Sequence, residues 1–202
     1  MNPVVTEWLA NVLNVATVIL ILYNSPWNWP LGIANCVLYM AVFIPAKLYG
    51  DTSLQVVYIG LSLYGLYEWL FGKGGVKAKM AGVDTQLPIT PTTQKEGLRY
   101  VALGIILSVV LVAFLGRFTN TDVPIWDGLL TALCLTATVM MAYRKIGHWW
   151  LWIASDVFYF ALYYHKQLVI TMWFQIPLLV CSIFGFLRWQ REMRLQNKVT
   201  HV

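Results

Sequence analysis

HWWLWIASDVFYF, residues 148–160, is apolar enough to lie inside a lipid bilayer, yet it contains an aspartate, Asp156. Across the whole chain, 59% of the 202 residues are hydrophobic and only 11% are charged. A soluble domain carries about a quarter charged residues, so the excess apolar surface of this chain is expected to face lipid. The composition predicts an integral membrane protein, and no stretch is large enough for a soluble catalytic domain.

Seven apolar stretches approach the length of a membrane helix, which needs about 20 mostly apolar residues. The connections between them carry turn or charge signals, and the long one from Gly72 to Gly97 is predicted to be a flexible loop. The expected class is therefore an all-α integral membrane protein with seven transmembrane helices. The predicted spans are Trp8–Tyr23, Trp29–Ala46, Leu54–Phe71, Leu98–Gly116, Pro124–Tyr143, Trp150–Tyr164 and Leu168–Trp189.

The lysines and arginines fall unevenly on the two sides of these spans. With the N-terminus outside, the inner segments hold eleven of the 14 basic residues and the outer loops hold three. Because basic residues concentrate on the cytoplasmic side, the distribution predicts an outside N-terminus and a cytoplasmic C-terminus. The net charge of +5 is then a feature of membrane topology, and binding of nucleic acid is not expected.

The first three spans resemble the last three. The triplet ATV at residues 16–18 recurs at 137–139, and this shift of 121 places Trp29 on Trp150 and Asn35 on Asp156, while a shift of 120 fits the third spans. The alternative is chance repetition of apolar residues. Two such triplets around one linker span cross in the same direction, and parallel repeats of this kind hold a substrate near the midplane. The expected divisions are residues 1–71 (first three-helix repeat), 72–123 (cytoplasmic loop and linker helix) and 124–202 (second repeat and basic cytoplasmic tail).

Four polar side chains lie well inside predicted spans: Asn35, Gln55, Asp156 and Gln175. A charged group at the bilayer centre costs roughly 2.5–3.5 kcal/mol on insertion scales, so it usually faces a cavity or a partner. No Lys or Arg lies at a similar depth. Asp156 is therefore either protonated and hydrogen-bonded or matched by a charge that arrives with the substrate. For the three amides, hydrogen bonding between helices is the alternative to ligand contact.

Trp149, Trp152 and Asp156 are spaced three and four residues apart, so they project from one face of a helix. Two π surfaces beside a carboxylate suit a flat heteroaromatic ligand, above all a cationic one. The alternative places the tryptophans in an interfacial aromatic belt. That alternative fits Trp150 well, but it fits the deeper Trp152 less well.

These patterns resemble the PnuC-type bacterial vitamin transporters over nearly all seven spans. The most specific likenesses are W-x-x-W-x-x-x-N/D (Trp149, Trp152, Asp156), N-x-x-x-G-x-x-N (Asn28, Gly32, Asn35) and L-Q-V…Y-G-x-Y-x-W (from Leu54 to Trp69). The resemblance implies a SWEET-like fold of 3+1+3 helices in the bacterial inner membrane, assembled as a homotrimer. It also implies facilitated diffusion of an unphosphorylated vitamin that a cytoplasmic kinase then traps. The substrate-binding set carried over on these grounds is Trp149, Trp152, Asp156, Asn35, Gln55, Gln175 and Asn28.

Family members divide by substrate into nicotinamide riboside, thiamine and riboflavin transporters. This chain departs from the nicotinamide riboside pattern, because Asp156 replaces an asparagine and Glu68 adds an acid whose alternative role is a solvated helix end. Thiamine has a permanent charge and an aminopyrimidine that can donate to an acid, so thiamine is the expected substrate. Nicotinamide riboside is also a flat cation and stays as the alternative, whereas neutral riboflavin would gain little from Asp156.

Two further classes of mechanism differ from simple diffusion of the vitamin. In a proton-coupled transporter, Asp156 would carry the proton. A membrane enzyme is disfavoured, because the sequence contains no nucleophile–base pair, metal cluster or phosphate-binding loop, and no cofactor is expected. Candidates for the remaining walls of the pocket are Tyr39, Tyr49, Tyr58, Tyr163 and Trp173.

Overall fold

Seven helices make up most of the described chain. The computed structural model describes residues 3–44, 49–71, 88–119, 121–165, 167 and 169–199. The predicted all-helical class is confirmed for these residues, apart from one isolated bridge between Thr90 and Lys145. The helices are α1 (Pro3–Leu22), α2 (Asn28–Phe43), α3 (Tyr49–Phe71), α4 (Gln94–Phe118), α5 (Pro124–Ala142), α6 (His148–His165) and α7 (Val169–Val199).

Four of the described helices, α1, α4, α5 and α7, are long and apolar enough to cross a membrane by length and composition alone. The other three predicted spans correspond to α2, α3 and α6. Helix α2 has 16 described residues, and α3 and α6 include polar residues such as Gln55 and Asp156. Those polar side chains line an interior cavity and lower the hydropathy of α3 and α6, whereas α2 is short.

Helix α4 begins earlier than the sequence analysis predicts. Thr93 caps its start, because the Thr93 Oγ1 accepts from the Glu96 N–H at 3.4 Å and the Thr93 N–H donates to a Glu96 carboxylate oxygen at 3.0 Å. This reciprocal pair is a capping box. The prediction of a flexible loop is therefore wrong for residues 88–97, while residues 72–87 lie outside the described chain. At the other end of the chain, the basic segment beyond Trp189 continues α7 as far as Val199.

Residues 88–93 form a strap across the ends of α5 and α7. Ile89 is only 3% exposed and packs into the cluster of buried residues that includes Trp69, Trp149 and Trp189. The Ile89 N–H donates to the Gln196 side-chain oxygen at 3.1 Å. Backbone hydrogen bonds of 3.1 Å also join Thr90 to the α5–α6 connection. The strap thus ties the start of α4 to both neighbouring helices.

Helices α1 and α7 run in the same direction. Near their first turns, the Thr171 hydroxyl donates to the Glu7 carboxylate at 2.6 Å. Near the end of α1, the Trp189 Nε1–H of α7 donates to the Ile21 carbonyl at 3.1 Å. A parallel pair is what two triplets of helices separated by one linker span require.

Matching contacts occur in the first and last three helices at a spacing of 120 residues. The Trp29 ring lies against Gly65, and the Trp149 ring lies against Gly185, so closely that a Cβ on either glycine would collide with the ring. A second match is reciprocal: the Nε1–H of Trp69, 120 residues before Trp189, donates to the Met141 carbonyl at 3.2 Å. The glycines at these two positions are explained by the close approach of the rings.

The predicted register of the repeat is wrong by one residue in its first two spans. A shift of 121 pairs Trp29 with Trp150, but Trp150 is 58% exposed beside Phe186, whereas Trp149 is fully buried and makes the contact that Trp29 makes. Adjacent tryptophans are equivalent in sequence, and only burial distinguishes them. With the shift of 120, the residue that corresponds to Asp156 is Cys36.

Candidate functional site

A cavity of about 290 Å³ lies between α1, α2, α3, α5, α6 and α7. The linker helix α4 contributes none of the lining residues and packs against α5. All seven predicted site residues line this cavity, although they come from four different helices. They are Asn28 and Asn35 of α2, Gln55 of α3, Trp149, Trp152 and Asp156 of α6, and Gln175 of α7.

Asp156 is the acid of the cavity. It is 7% exposed, and its Oδ2 accepts a hydrogen bond of 2.9 Å from the Ser182 hydroxyl on α7. No Lys or Arg among the described residues forms an ion pair with it. Burying a carboxylate without a counter-charge is costly, so this group is set up to receive a hydrogen-bond donor or a cation.

The two tryptophans of the W-x-x-W motif occupy different environments. Trp149 has its ring against Gly185 and edge-on to Trp189, with ring centroids 5.8 Å apart, so its faces are covered by protein. Trp152 is half-buried at the cavity wall. The Nε1–H of each has no hydrogen-bond partner among the described residues. The geometry therefore favours Trp152 as the stacking surface and makes Trp149 a wall that offers its N–H edge.

The amide side chains present further hydrogen-bonding groups. Asn28 donates to the Ser25 carbonyl at 2.6 Å, and its own side-chain oxygen has no hydrogen-bond partner within the described part of the chain. The same holds, within that part, for the side-chain oxygen of Asn35. Gln175 is buried and donates to the Thr171 carbonyl at 3.4 Å. Polar atoms left open around a cavity suit a ligand with several polar substituents.

Tyrosines form another part of the wall. Of the five candidates, Tyr39, Tyr58 and Tyr163 line the cavity. Trp173 does not, because it is exposed and packs edge-on against Phe160. The side chain of Tyr49 lies outside the description.

The lining residues that the sequence did not single out include Tyr159, Ser62, Ser155 and Ser182. Tyr159 stacks on Tyr163 with 5.2 Å between ring centroids. Two of the serines carried a usable signal, since Ser62 and Ser182 each lie seven residues after a predicted glutamine, which is the same face of the helix two turns on. A small hydroxyl alone is common in membrane helices, so spacing was the informative feature.

Two larger hollows lie elsewhere. One of about 580 Å³ is a largely apolar groove along α4, α5 and α6. The other, about 720 Å³, lies beyond the end of α5 and is lined by residues that include Glu68 and Lys145. There the Lys145 ammonium is 2.7 Å from Glu96 and the Arg144 guanidinium lies 4.1 Å from the Trp69 ring. Burial lowers the pKa of Arg144 to about 10, which leaves it cationic at neutral pH.

The central cavity is the stronger candidate for a substrate site. In the central cavity, buried polar side chains from facing helices surround one acid. The groove along α4, α5 and α6 is largely apolar, and in the hollow beyond the end of α5 the acid Glu96 already has a basic partner. Among the described residues, no group of three His, Cys, Asp or Glu side chains is arranged to hold a metal ion. The cavity can hold a small ligand by stacking, hydrogen bonding and one charge.

Comparison with known proteins gives one family. The model of the family described as nicotinamide mononucleotide transporter matches residues 4–191. The nicotinamide riboside transporter PnuC of Neisseria mucosa is 24% identical over 213 residues, which cover 96% of this chain and 75% of that protein. The transporter of the same name from Escherichia coli is 22% identical over 149 residues, which cover 64% of this chain and 62% of that protein.

A relative named for a different vitamin also matches. The riboflavin/roseoflavin transporter RibM of Streptomyces davaonensis is 22% identical over 156 residues, covering 75% of this chain and 68% of that protein. Among solved structures, the crystal structure of the vitamin B3 transporter PnuC superposes with a TM-score of 0.72 over 94% of this chain and 82% of that chain, at 20% identity. The likeness at this identity is one of fold.

Proposed function

The chain belongs to the PnuC family of vitamin transporters, and we propose that it carries a cationic heteroaromatic vitamin across the bacterial inner membrane by facilitated diffusion. Thiamine is the first candidate substrate. Phosphorylation of the vitamin by a cytoplasmic kinase would trap it inside. The site contains stacking, hydrogen-bonding and charge-pairing groups for such a ligand.

The observation that carries the proposal is the Asp156 carboxylate, buried at the cavity wall with the Ser182 hydroxyl and without a basic partner among the described residues. A charge in this position is expensive unless something compensates it. A cationic ring supplies the missing charge and also gains about 0.5–2 kcal/mol from contact with an aromatic face such as Trp152. A neutral solute would leave the acid without that compensation.

Thiamine is placed ahead of nicotinamide riboside because Asp156 stands where the nicotinamide riboside pattern has an asparagine. Thiamine combines a thiazolium charge with an aminopyrimidine, so it can bring both a cation and hydrogen-bond donors to the cavity. Nicotinamide riboside, the second candidate, is favoured by the names of the relatives in Neisseria mucosa and Escherichia coli. Riboflavin, transported by the relative RibM, is neutral and would not use Asp156 as a counter-ion.

Proton coupling is the second candidate mechanism. It is favoured by the same carboxylate, since a buried acid in the substrate cavity of a transporter is a suitable proton carrier. Transport into proteoliposomes with and without a pH gradient separates the mechanisms. Facilitated diffusion predicts that internal thiamine rises to the external concentration and no further. Accumulation of free thiamine driven by the gradient would replace diffusion with proton coupling.

The finer architecture is part of the proposal. We infer a SWEET-like 3+1+3 arrangement, supported by the matched contacts at 120 residues. We also infer an outside N-terminus, supported by the distribution of basic residues, and the homotrimer implied by the family resemblance. Labelling of a cysteine added at each terminus in intact cells tests the orientation. Light scattering of the purified protein in detergent tests the trimer.

Calorimetric titration of the purified protein with thiamine, nicotinamide riboside and riboflavin tests the substrate. Thiamine is expected to bind most tightly and riboflavin most weakly. Binding of nicotinamide riboside without thiamine would make the second candidate the substrate, and binding of none of the three would reject the proposed class.

The role of the tryptophans is tested by substitution. Trp152→Phe is expected to weaken thiamine binding more than Trp149→Phe does when the two variants are equally stable, because the Trp149 faces are already covered by protein. The exposed Trp150→Phe is the control, and it should leave the affinity unchanged.

A further inference from the structure

We propose that Ser182 is a positioning residue for Asp156, and that this serine–aspartate pair on the α6–α7 side of the cavity sets the orientation of the bound ligand. The inference rests on the proposed function, because it concerns a ligand with one cationic or hydrogen-bond-donating end. It adds a residue that neither the motifs nor the family resemblance selected.

The hydrogen-bond acceptor of the Ser182 hydroxyl is unusual for a serine inside a helix. A serine or threonine inside a helix commonly donates to the carbonyl one turn earlier. Thr136 and Thr138 of α5 do so, to Ala132 and Cys134, each at 2.8 Å. Ser182 is 2% exposed and instead donates across the helix interface to the Asp156 Oδ2 at 2.9 Å. The Ser182 hydroxyl is therefore a donor to the Asp156 carboxylate and not to the backbone of its own helix.

This bond has a geometric consequence for the carboxylate. The terminal torsion of an aspartate is broad, so an isolated Asp156 side chain would sample several planes. Fixing Oδ2 on a buried hydroxyl holds the plane and leaves Oδ1 for a ligand. A held acid loses less conformational freedom when the ligand arrives, which favours binding.

The opposite side of the cavity has the serine without the acid. Ser62, 120 residues before Ser182, is buried and lines the cavity, and the residue at the position of Asp156 is Cys36. The two sides of the cavity therefore have a matching serine, but of these matched positions only the one on the α6–α7 side has a carboxylate. A ligand with a single cationic or donating end is expected to direct it towards α6 and α7, and to place its other end against α2 and α3.

The matched pair Ser182→Ala and Ser62→Ala tests the role of Ser182. The probes are thiamine and its uncharged deaza analogue, in which a thiophene ring replaces the thiazolium, with calorimetry as the readout. Ser182→Ala is expected to weaken the binding of thiamine about tenfold, the lower end of the range for a hydrogen bond to a charged group. The affinity for the analogue should change much less. Ser62→Ala should affect both ligands alike. Ser182→Thr keeps the hydroxyl and should restore selectivity.

A swap of the acid tests the orientation. In the double variant Cys36→Asp/Asp156→Cys, selectivity for thiamine over the analogue should become sensitive to Ser62→Ala and insensitive to Ser182→Ala. Continued dependence on Ser182 in the swapped protein would overturn the inference. If Ser182→Ala does not fold, Ser182→Cys keeps the shape of the side chain with a slightly larger atom and a weaker donor, and it is expected to show the same loss of selectivity.

The outcomes separate this inference from the proposed function. Equal effects of Ser182→Ala and Ser62→Ala on the two probes would reduce Ser182 to a packing residue, while thiamine binding by the unmodified protein would leave the transporter proposal standing. Absence of binding by the unmodified protein would reject the proposed function, and the inference would fall with it.

Discussion

In the first three helices the Trp29 ring lies against Gly65, and in the last three the Trp149 ring lies against Gly185. The third helix of each triplet also sends an indole N–H to the other triplet, with bonds of 3.2 Å and 3.1 Å to backbone carbonyls. The cavity wall departs from this likeness, since Cys36 stands where the other side has Asp156. The contacts that hold the helices together are thus repeated, and the charge is not.

That difference separates two kinds of requirement on the chain. Close approach of helices depends on backbone and ring geometry, which both triplets need equally, so the same residues recur at both places. A vitamin has no two-fold symmetry, and the walls that contact it have no reason to match. Under the proposed function, the comparison assigns Asp156 to the ligand and the glycines to packing.

The largest expected effect comes from Gly65→Ala and Gly185→Ala, which attack the shared contacts. An added Cβ would collide with a ring, and Trp149 cannot retreat because His148 and Trp189 pack against it. Overpacking of this kind costs about 1–3 kcal/mol or more. Both variants should show a clear fall in thermal midpoint or yield no folded protein.

Gly60→Ala is the control for that experiment. No atom of the described residues lies within 4 Å of a Cβ at Gly60, and alanine in a helix is favoured over glycine by roughly 0.5–1 kcal/mol. This variant should be neutral or slightly stabilised. Equal losses at Gly60 and Gly185 would contradict the packing account.

The next effect concerns ligand selectivity and falls on one triplet only. Asp156→Asn keeps the shape and a polar contact but removes the charge, so the affinity for thiamine should fall about tenfold or more, on the basis of about 1.5–3 kcal/mol for a hydrogen bond to a charged group. The uncharged analogue should lose much less. Cys36→Ser on the opposite wall is the matched control, and a loss as large as that of Asp156→Asn would remove the distinction between the walls.

A smaller and symmetric effect is expected from Trp69→Phe and Trp189→Phe. Each removes one buried indole-to-carbonyl hydrogen bond between the triplets, worth about 1 kcal/mol net, together with some packing. The two thermal midpoints should fall by similar amounts, and that of the exposed Trp150→Phe should barely change. A loss confined to one of the two variants would show that the triplets are not held together reciprocally.

The sequence was sufficient for the helical membrane class and for part of the set of residues that line the cavity. Polar residues such as Asn35, Gln55 and Asp156 are conspicuous inside apolar spans because their burial in lipid is expensive. Helical spacing then placed Asp156 on one helix face with Trp149 and Trp152. The family motifs supplied Asn28. The substrate-binding roles of these residues remain predictions that the binding experiments address.

Other features depended on three-dimensional contacts that periodicity does not encode. The predicted register of the repeat was wrong by one residue because Trp149 and Trp150 differ only in burial. The two tryptophans of the motif looked equivalent until the backbone at Gly185 was seen to cover one of them. The pairing of Ser182 with Asp156 joins residues on different helices. The start of α4, by contrast, was encoded locally by Thr93 and Glu96 and was overlooked.

The smallest expected effects come from another charge difference between the triplets, Glu68 against Arg188, which lie 120 residues apart. Arg188 is partly exposed, lies 4.4 Å from the Tyr23 ring and bonds Glu192 at 3.0 Å. Exposed pairs contribute about 0–1 kcal/mol, so Arg188→Gln should change the thermal midpoint only slightly.

Neither Glu68 nor Arg188 lines the cavity, and salt screens charges beyond about 10 Å at 0.1 M ionic strength. Glu68→Gln and Arg188→Gln should therefore leave thiamine affinity unchanged at moderate salt, measured beside Asp156→Asn. If Glu68→Gln weakened thiamine binding as much as Asp156→Asn does, the charge difference that affects ligand affinity would include Glu68 in the hollow beyond α5. Asp156 would then no longer account for the affinity alone.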